Sequence, residues 1–285
     1  MFEPRAWPSV EYDLAESVYH SLNYMSASRL KVLNDSTSLH LDHEIRNPRE
    51  DSDDLLIGRA LHTFVLRRLA FDMEYAVMPK VDGRTTAGKA AKAAFEVEAA
   101  GKSILTTDQA AQVEAMALAI AAHPEAYNLL RTLPGQEEVS IFAEMHGIKS
   151  KSRVDRLLDI DGSRVICDLK TVRDGAGRRD FERTVWAYNY GLQALMYSRM
   201  ANAAGLGPID DFVFVAVEKK APHAVACYRL RDEVLQAFGP RLDALIARYS
   251  DYLEAGPVGY TGIEDLAVPA WALRELESEL GETNA

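Results

Sequence analysis

The residues best suited to chemistry lie between Lys151 and Thr171, where the chain reads K-S-R-V-D-R-L-L-D-I-D-G-S-R-V-I-C-D-L-K-T. Asp155, Asp168 and Lys170 supply hard oxygen donors and a cation, the set that holds a divalent ion and a phosphate. Asp161-Gly162 is a two-residue hairpin signal between β-prone runs. With those two residues as the loop, Ile160 faces Ser163. Counting outward opposes Asp159 to Arg164, Leu157 to Ile166 and Asp155 to Asp168. Opposed side chains lie roughly 4.5–5.5 Å apart at Cβ. Two carboxylates that close repel each other unless a proton or a cation lies between them.

The preceding segment adds a third acid. A tight turn at His146-Gly147 pairs Met145 with Ile148, Glu144 with Lys149 and Glu138 with Asp155. Three neighbouring strands then present Glu138, Asp155 and Asp168 in one row. Lys170 shares their face because strand side chains alternate. Leu169 points the other way, towards a core with Val154, Leu158 and Val165. The same register sets Arg153 opposite Lys170, a like-charge pair that fits poorly. The row suits Mg²⁺, with Mn²⁺ as an alternative. A solvent-wetted polar face is the plainer reading, but it leaves the opposed like charges uncompensated.

Asp155, a hairpin, then Asp168-Leu169-Lys170 resembles the D…(D/E)-x-K signature of the PD-(D/E)XK nuclease superfamily. Gly58-Arg59-Ala60-Leu61-His62 resembles the G-x-x-x-H helix motif of its RecB-like branch. Glu138-Val139-Ser140 resembles that branch's acidic first strand, and Gln193-Ala194-Leu195-Met196-Tyr197 its Q-x-x-x-Y helix motif. Phe212 to Pro222 resembles the following strand of exonuclease VIII (RecE) type nuclease domains. The resemblance runs from about Ser26 to Tyr228.

That resemblance implies an α/β fold, a central mixed β-sheet flanked by helices with a helical N-terminal half. Residues 1–135 form the helical part carrying His62, 136–230 the catalytic sheet with the Q-x-x-x-Y helix, and 231–285 the C-terminal helices, together one compact domain. It implies a Mg²⁺-dependent exodeoxyribonuclease. Asp155 and Asp168 would bind the metal, the Leu169 carbonyl would complete its shell, and His62 and Glu138 would complete or orient it. Lys170 would position water or neutralise developing charge. Gln193 and Tyr197 would contact the DNA strand or the active site. Ser26, which can simply cap a helix, would lie near DNA. Arg173, Arg178 and Arg179, in a Gly-containing stretch after Lys170, can face phosphate. The resemblance further implies 5′→3′ digestion of linear duplex DNA in phage-type recombination, a ring-like homo-oligomer, and a single-strand annealing partner. Two alternatives stay open: a structure-specific or single-strand nuclease of the same fold, and a catalytically inert DNA-binding or assembly protein.

Composition sets limits. The net charge of -11 argues against a broadly basic DNA-coating surface, so basic residues would have to be local to the site. The two cysteines, Cys167 and Cys227, sit in apolar segments and read as buried thiols. They form no zinc pattern and cannot supply four thiolates to an iron–sulfur cluster. No signal-peptide pattern and no membrane-length apolar run is evident, which makes a cytoplasmic location the default expectation.

The elements that must position these residues follow in chain order. Residues 1–24 read as an irregular arm, then Ser26 or Ser28 caps a helix through Leu33. Residues 47–54 read as a loop. Leu55 to Leu69 reads as a helix with Leu61, Phe64, Val65 and Leu69 facing a core. Gly58 within it suggests close backbone approach. Residues 79–86 loop out before two Ala-rich helices, the second capped by Thr106 or Thr107 and ended at His123-Pro124. A helix from Val185 to Ala204 carries Gln193 and Tyr197. Phe212–Val217 and Ala224–Leu230 read as strands, the first an interior one. Asp232 caps a helix to Glu254, and an acidic helix with Trp271 follows.

Overall fold

A computed structural model describes residues 3–4, 6–48, 52–81 and 84–282, without the side chains of 278–282. The expected loops at 47–54 and 79–86 therefore fall partly outside the described residues. Strand β1 is Ser9–Glu11. Four helices follow: α1 Glu16–Ser21, α2 Ala27–Asp35, α3 Ser38–Arg46 and α4 Asp53–Leu66. Next come α5 Arg68–Glu74, β2 Tyr75–Val77, α6 Thr86–Glu98, β3 Ser103–Leu105, α7 Thr107–Ala122 and α8 Pro124–Tyr127, which runs into a π-helical turn at Asn128–Thr132. The central strands are β4 Gly135–Met145, β5 Ile148–Ile160 and β6 Ser163–Val172. Helices α9 Arg178–Ala187 and α10 Tyr190–Ala203 lead to β7 Asp211–Glu218 and β8 Val225–Leu230. Helices α11 Asp232–Ala237, α12 Gly239–Ala255 and α13 Ala270–Glu282 end the chain.

The six-stranded sheet has the order β1-β4-β5-β6-β7-β8. All its pairings are antiparallel except β6 with β7, which run parallel across the α9–α10 crossover. The sheet is mixed, as expected, and β7 is an interior strand. Both hairpins fall in the counted register. Met145 pairs with Ile148 and Glu144 with Lys149, and on the other hairpin Ile160 pairs with Ser163 and Leu157 with Ile166. His146 and Asp161 take the left-handed conformation these turns demand, at φ 50° and 52°.

Helices cover both faces. Leu30, Leu33, Leu195, Met196 and Leu242 pack with Ile141, Ile166 and Phe214 on one face. Ile57, Leu61, Val113, Met116 and Ile120 pack with Leu158, Cys167, Leu169 and Val215 on the other. Local chemistry sets the helix starts. Ser26 accepts the Arg29 N–H, Ser52 that of Leu55, and Thr106 forms a reciprocal capping box with Gln109.

Several expectations are corrected. The N-terminal arm is partly regular: β1 extends the sheet, and buried Lys151 donates to the carbonyls of Tyr19 at 2.7 Å and Leu22 at 2.6 Å, fastening the end of α1. Leu69 is exposed rather than in the core, because α4 stops at Leu66 and the separate helix α5 buries Ala70 and Phe71 instead. The Gly-containing stretch after Lys170 becomes helical at Arg178, where buried Phe181 anchors the turn and Arg178 reaches Glu182 at 2.9 Å. Val185–Ala204 is not one helix; it breaks at Asn189. Gly239-Pro240 likewise divides the helix expected after Asp232, which stands in its first turn rather than capping it. Val154 packs with Val139 and Ile141, not with Leu158 and Leu169. Strict alternation fails between Val154 and Leu157, next to Asp155. Cys167 is buried and Cys227 half-buried, both as free thiols. Among the described residues no helix is long and apolar enough to cross a membrane.

Candidate active site

The site forms where two strands part. The β5–β6 ladder follows the count from Ile160↔Ser163 to Arg156↔Cys167 and stops there. Beyond that rung β6 pairs only with β7, through Asp168↔Phe214 and Lys170↔Ala216. Asp155 and Asp168 are thus not cross-strand partners, which corrects the flat row expected from the register. Asp155 Oδ2 instead accepts the Leu169 N–H at 2.8 Å, so a carboxylate takes the place of a strand carbonyl. The parting also removes the expected clash of Arg153 with Lys170. Arg153 turns to Glu138, Nε to Oε2 at 2.9 Å, and donates to the Leu14 carbonyl.

Glu138 has φ 50° in the middle of β4 and makes no rung with Asp155, although Glu137↔Arg156 and Val139↔Val154 pair on either side. A non-glycine residue held there is strained. One donor atom from each of His62, Glu138 and Asp155 lies within 4.8 Å of the others. His62 stands one turn after Gly58 on α4, with Nδ1 3.4 Å from Asp155 Oδ2. Burial alone would push the His62 imidazole down, but Asp155 and Glu138 outweigh it and hold its pKa up at about 9. Burial, with Asp155 adding, raises Glu138 to about 7. Burial also opposes charge on Asp155, yet His62 and Lys170 keep it below the usual carboxylate range. The trio therefore gathers positive charge, which a divalent ion would supply in place of a proton. One imidazole and two carboxylates are acceptable donors for Mn²⁺, and the carboxylates for Mg²⁺.

Asp168 lies outside that trio. Its Oδ1 accepts from Gln193 Nε2 at 2.9 Å, and its Oδ2 lies 2.5 Å from Lys170 Nζ. Beyond that contact the buried Oδ2 has no hydrogen-bond donor. Gln193 Oε1 in turn accepts from Lys31 Nζ at 3.0 Å. Both ammonium groups sit on the Tyr190 ring, Lys170 at 4.7 Å and Lys31 at 5.0 Å from its centroid. Burial works against the Lys170 charge, but Asp168 outweighs it and keeps the group protonated. Burial, with Lys170 adding, brings Lys31 down to about 7.

These groups surround a cleft of about 590 Å³ that Gly58, His62, Glu138, Asp155, Leu169, Lys170, Arg173, Tyr188, Tyr190 and Tyr197 help to line. Arg59, Arg67, Arg153 and Lys219 also line it, so basic residues are local to the site in an acidic chain. Arg173 stands at its mouth, bound to Asp54, which also holds Lys219 Nζ at 2.8 Å. Other expected DNA contacts lie elsewhere. Ser26 is the α2 cap, 3.5 Å from the Arg29 nitrogen, and its neighbour Ser28 lines the cleft instead. Arg178 lines a separate groove with Trp186 and Phe238. Arg179 is exposed beside it on the first turn of α9. Gly58 is not forced by a close approach: a Cβ there would meet Thr171 Oγ1 at an ordinary 3.5 Å. Sequence reasoning missed Lys31, Asp54, Tyr188 and Tyr190. Of these only Tyr190 carried a signal, three residues before Gln193 and so on the same helix face.

Residues 26–256 match a family described as PDDEXK-like domain of unknown function (DUF3799). No curated protein matches the chain. Among solved structures, a protein from Eubacterium rectale named as a candidate exonuclease is 16% identical with a TM-score of 0.59, over 92% of this chain and 98% of that one. A structure named SSO0001 is 13% identical with a TM-score of 0.30, over 82% of this chain and 88% of that one. A Vibrio cholerae protein, VC1899, is 10% identical with a TM-score of 0.23, over 81% of this chain and 58% of that one. The first likeness bears on the fold, a mixed sheet between helical layers.

Proposed function

Because this chain belongs to the PDDEXK-like family DUF3799, we propose that it is a metal-dependent nuclease that hydrolyses phosphodiester bonds of DNA, digesting linear duplex from its 5′ ends. One observation carries the reading. His62, Glu138 and Asp155 converge within 4.8 Å beside the Asp168–Lys170 pair, in a cleft edged with arginines. The 5′→3′ polarity rests on the resemblance to exonuclease VIII-type domains, and the name of the Eubacterium rectale protein agrees with an exonuclease.

His62, Glu138 and Asp155 would hold the ion, and Asp168 would join them where its Oδ2 is released from Lys170. When bound, a divalent ion supplies positive charge to the phosphate and acidifies water. Lys170 stays an ammonium, so it serves as a cation rather than a base and offsets charge that builds on the phosphate. Gln193 keeps Asp168 from turning away. Arg173 can exchange Asp54 for a phosphate of the incoming strand, since exposed pairs are weak, while the largely buried Lys219 adds its charge from behind Asp54. Buried Leu169 closes the floor and helps exclude water.

The test is digestion of end-labelled linear duplex DNA with Mg²⁺, with EDTA and Asp168→Asn controls. Stepwise loss from 5′ ends that both controls abolish is the expected result. Folded protein that cuts no linear DNA with Mg²⁺ or Mn²⁺ overturns the reading.

A further inference from the structure

We propose that Tyr188 is a stacking platform for a nucleobase, so that the site takes a strand end whose base is free of its partner. This rests on the nuclease reading above and names the form of substrate it prefers.

The observation begins with Asn189. It links α9 to α10 in the left-handed conformation, φ 53° and ψ 38°. In a continuous helix residues 188 and 190 would point about 200° apart. The reversal at Asn189 instead lays the two tyrosine rings together, with centroids 5.8 Å apart and planes at 24°. Asn is among the few residues that tolerate this conformation, at a cost on the order of 1 kcal/mol. Its side chain also donates to Asp35 Oδ1 at 3.3 Å, which ties the turn to α2.

The two rings have different tasks. Tyr190 is half-buried, rests 5.9 Å from the Phe214 ring, and carries the ammonium of Lys170 on its face. Tyr188 rides on that anchored ring and is 58% exposed within the cleft wall. Tyr190 packs against the core, whereas Tyr188 is not needed for it, since the exposed ring buries little. An open aromatic face held beside a phosphate-binding lysine matches a nucleotide, with phosphate at Lys170 and base against Tyr188. Base–aromatic stacking tolerates any sequence and contributes about 1–3 kcal/mol per base. A base inside a duplex has both faces stacked and its edge paired, and a paired terminal base offers only its outer face, so a freed base, able to turn into the cleft, makes the better use of the ring.

The test measures binding with Ca²⁺ in place of Mg²⁺, using labelled duplexes with blunt ends or with mismatched terminal nucleotides. Native protein should bind the mismatched end more tightly, and Tyr188→Ala should lose that preference, roughly 10- to 100-fold. Tyr188→Phe and Tyr188→Trp should keep it. An abasic nucleotide at one position should reproduce the loss in native protein and add nothing in Tyr188→Ala. Equal binding of both ends by native protein, or a preference that survives Tyr188→Ala, overturns the proposal. Cleavage with Mg²⁺ is scored on the same DNA. Protein that binds with this preference but never cuts counts against the nuclease reading alone. Protein that cuts without any dependence on Tyr188 counts against the platform alone.

Discussion

Gln193 turns its amide nitrogen to Asp168 Oδ1 at 2.9 Å because its amide oxygen is taken by Lys31 at 3.0 Å. Charged or neutral, a lysine amine keeps N–H groups to donate, and a carboxylate accepts, so the amide has one favourable orientation. The chain from α2 through α10 to β6 therefore fixes where Asp168 points. Removing Lys31 leaves the amide oxygen without its donor, so Gln193 is held from the Asp168 side alone and no longer fixes the carboxylate against α2.

Lys31→Met should lower the rate of DNA cleavage about 10- to 100-fold, the scale for losing a partner that orients a metal-site group. Lys31→Arg should restore part of the loss. Single-turnover rates at saturating DNA, beside melting temperatures, would check this. A rate unchanged in Lys31→Met shows that Asp168 needs no such fixing.

The metal-free protein should lose stability as pH rises. Glu138 is raised from 4.5 to about 7 and His62 from 6.5 to about 9. Both are raised, so their contribution is full below the unfolded values and is lost as pH climbs through the folded ones. A divalent ion replaces the lost positive charge. Mg²⁺ should therefore raise the melting temperature more at alkaline than at acidic pH, and EDTA should abolish the difference.

Basic residues should divide by position. Arg173→Ala and Lys219→Ala should each weaken DNA binding and reduce the salt slope by about 1. Arg178→Ala should change little, since that side chain faces another groove. Binding isotherms across a salt series distinguish these outcomes, and equal losses for all three would remove the cleft mouth as the DNA entry.

Gly58 should tolerate one carbon and no more. Gly58→Ala leaves ordinary contact with Thr171 and improves helix propensity by about 1 kcal/mol. It should fold at least as stably and keep activity. Gly58→Phe should fill the cleft and abolish DNA binding. Loss of activity in Gly58→Ala would show that the space itself is tightly used.

Much of the fold was readable because two turns were. His146-Gly147 and Asp161-Gly162 fixed the registers of β4, β5 and β6 by simple counting. The acids and Lys170 were identified correctly as neighbours, but their arrangement was not. Counting assumes that a ladder continues, and neither the left-handed Glu138 nor the parting of β5 from β6 follows from propensity. Both are strained or unpaired features held by tertiary contacts. Lys31 was invisible for another reason: it lies 162 residues from Gln193, and a single lysine on a helix reads as surface. Arg178 was misplaced because its glycine neighbours suggested a loop.

The end of the β5–β6 ladder at Arg156↔Cys167 also bears on the order of assembly. A hairpin can zip from its Asp161-Gly162 turn and halt before the acids approach each other. The repulsion between Asp155 and Asp168 is then expected to enter only late, when α4 delivers His62 and the α2–α10 layer closes over Asp168. Substitutions at Asp168 should have φ-values near 0, changing how fast the protein unfolds and not how fast it folds.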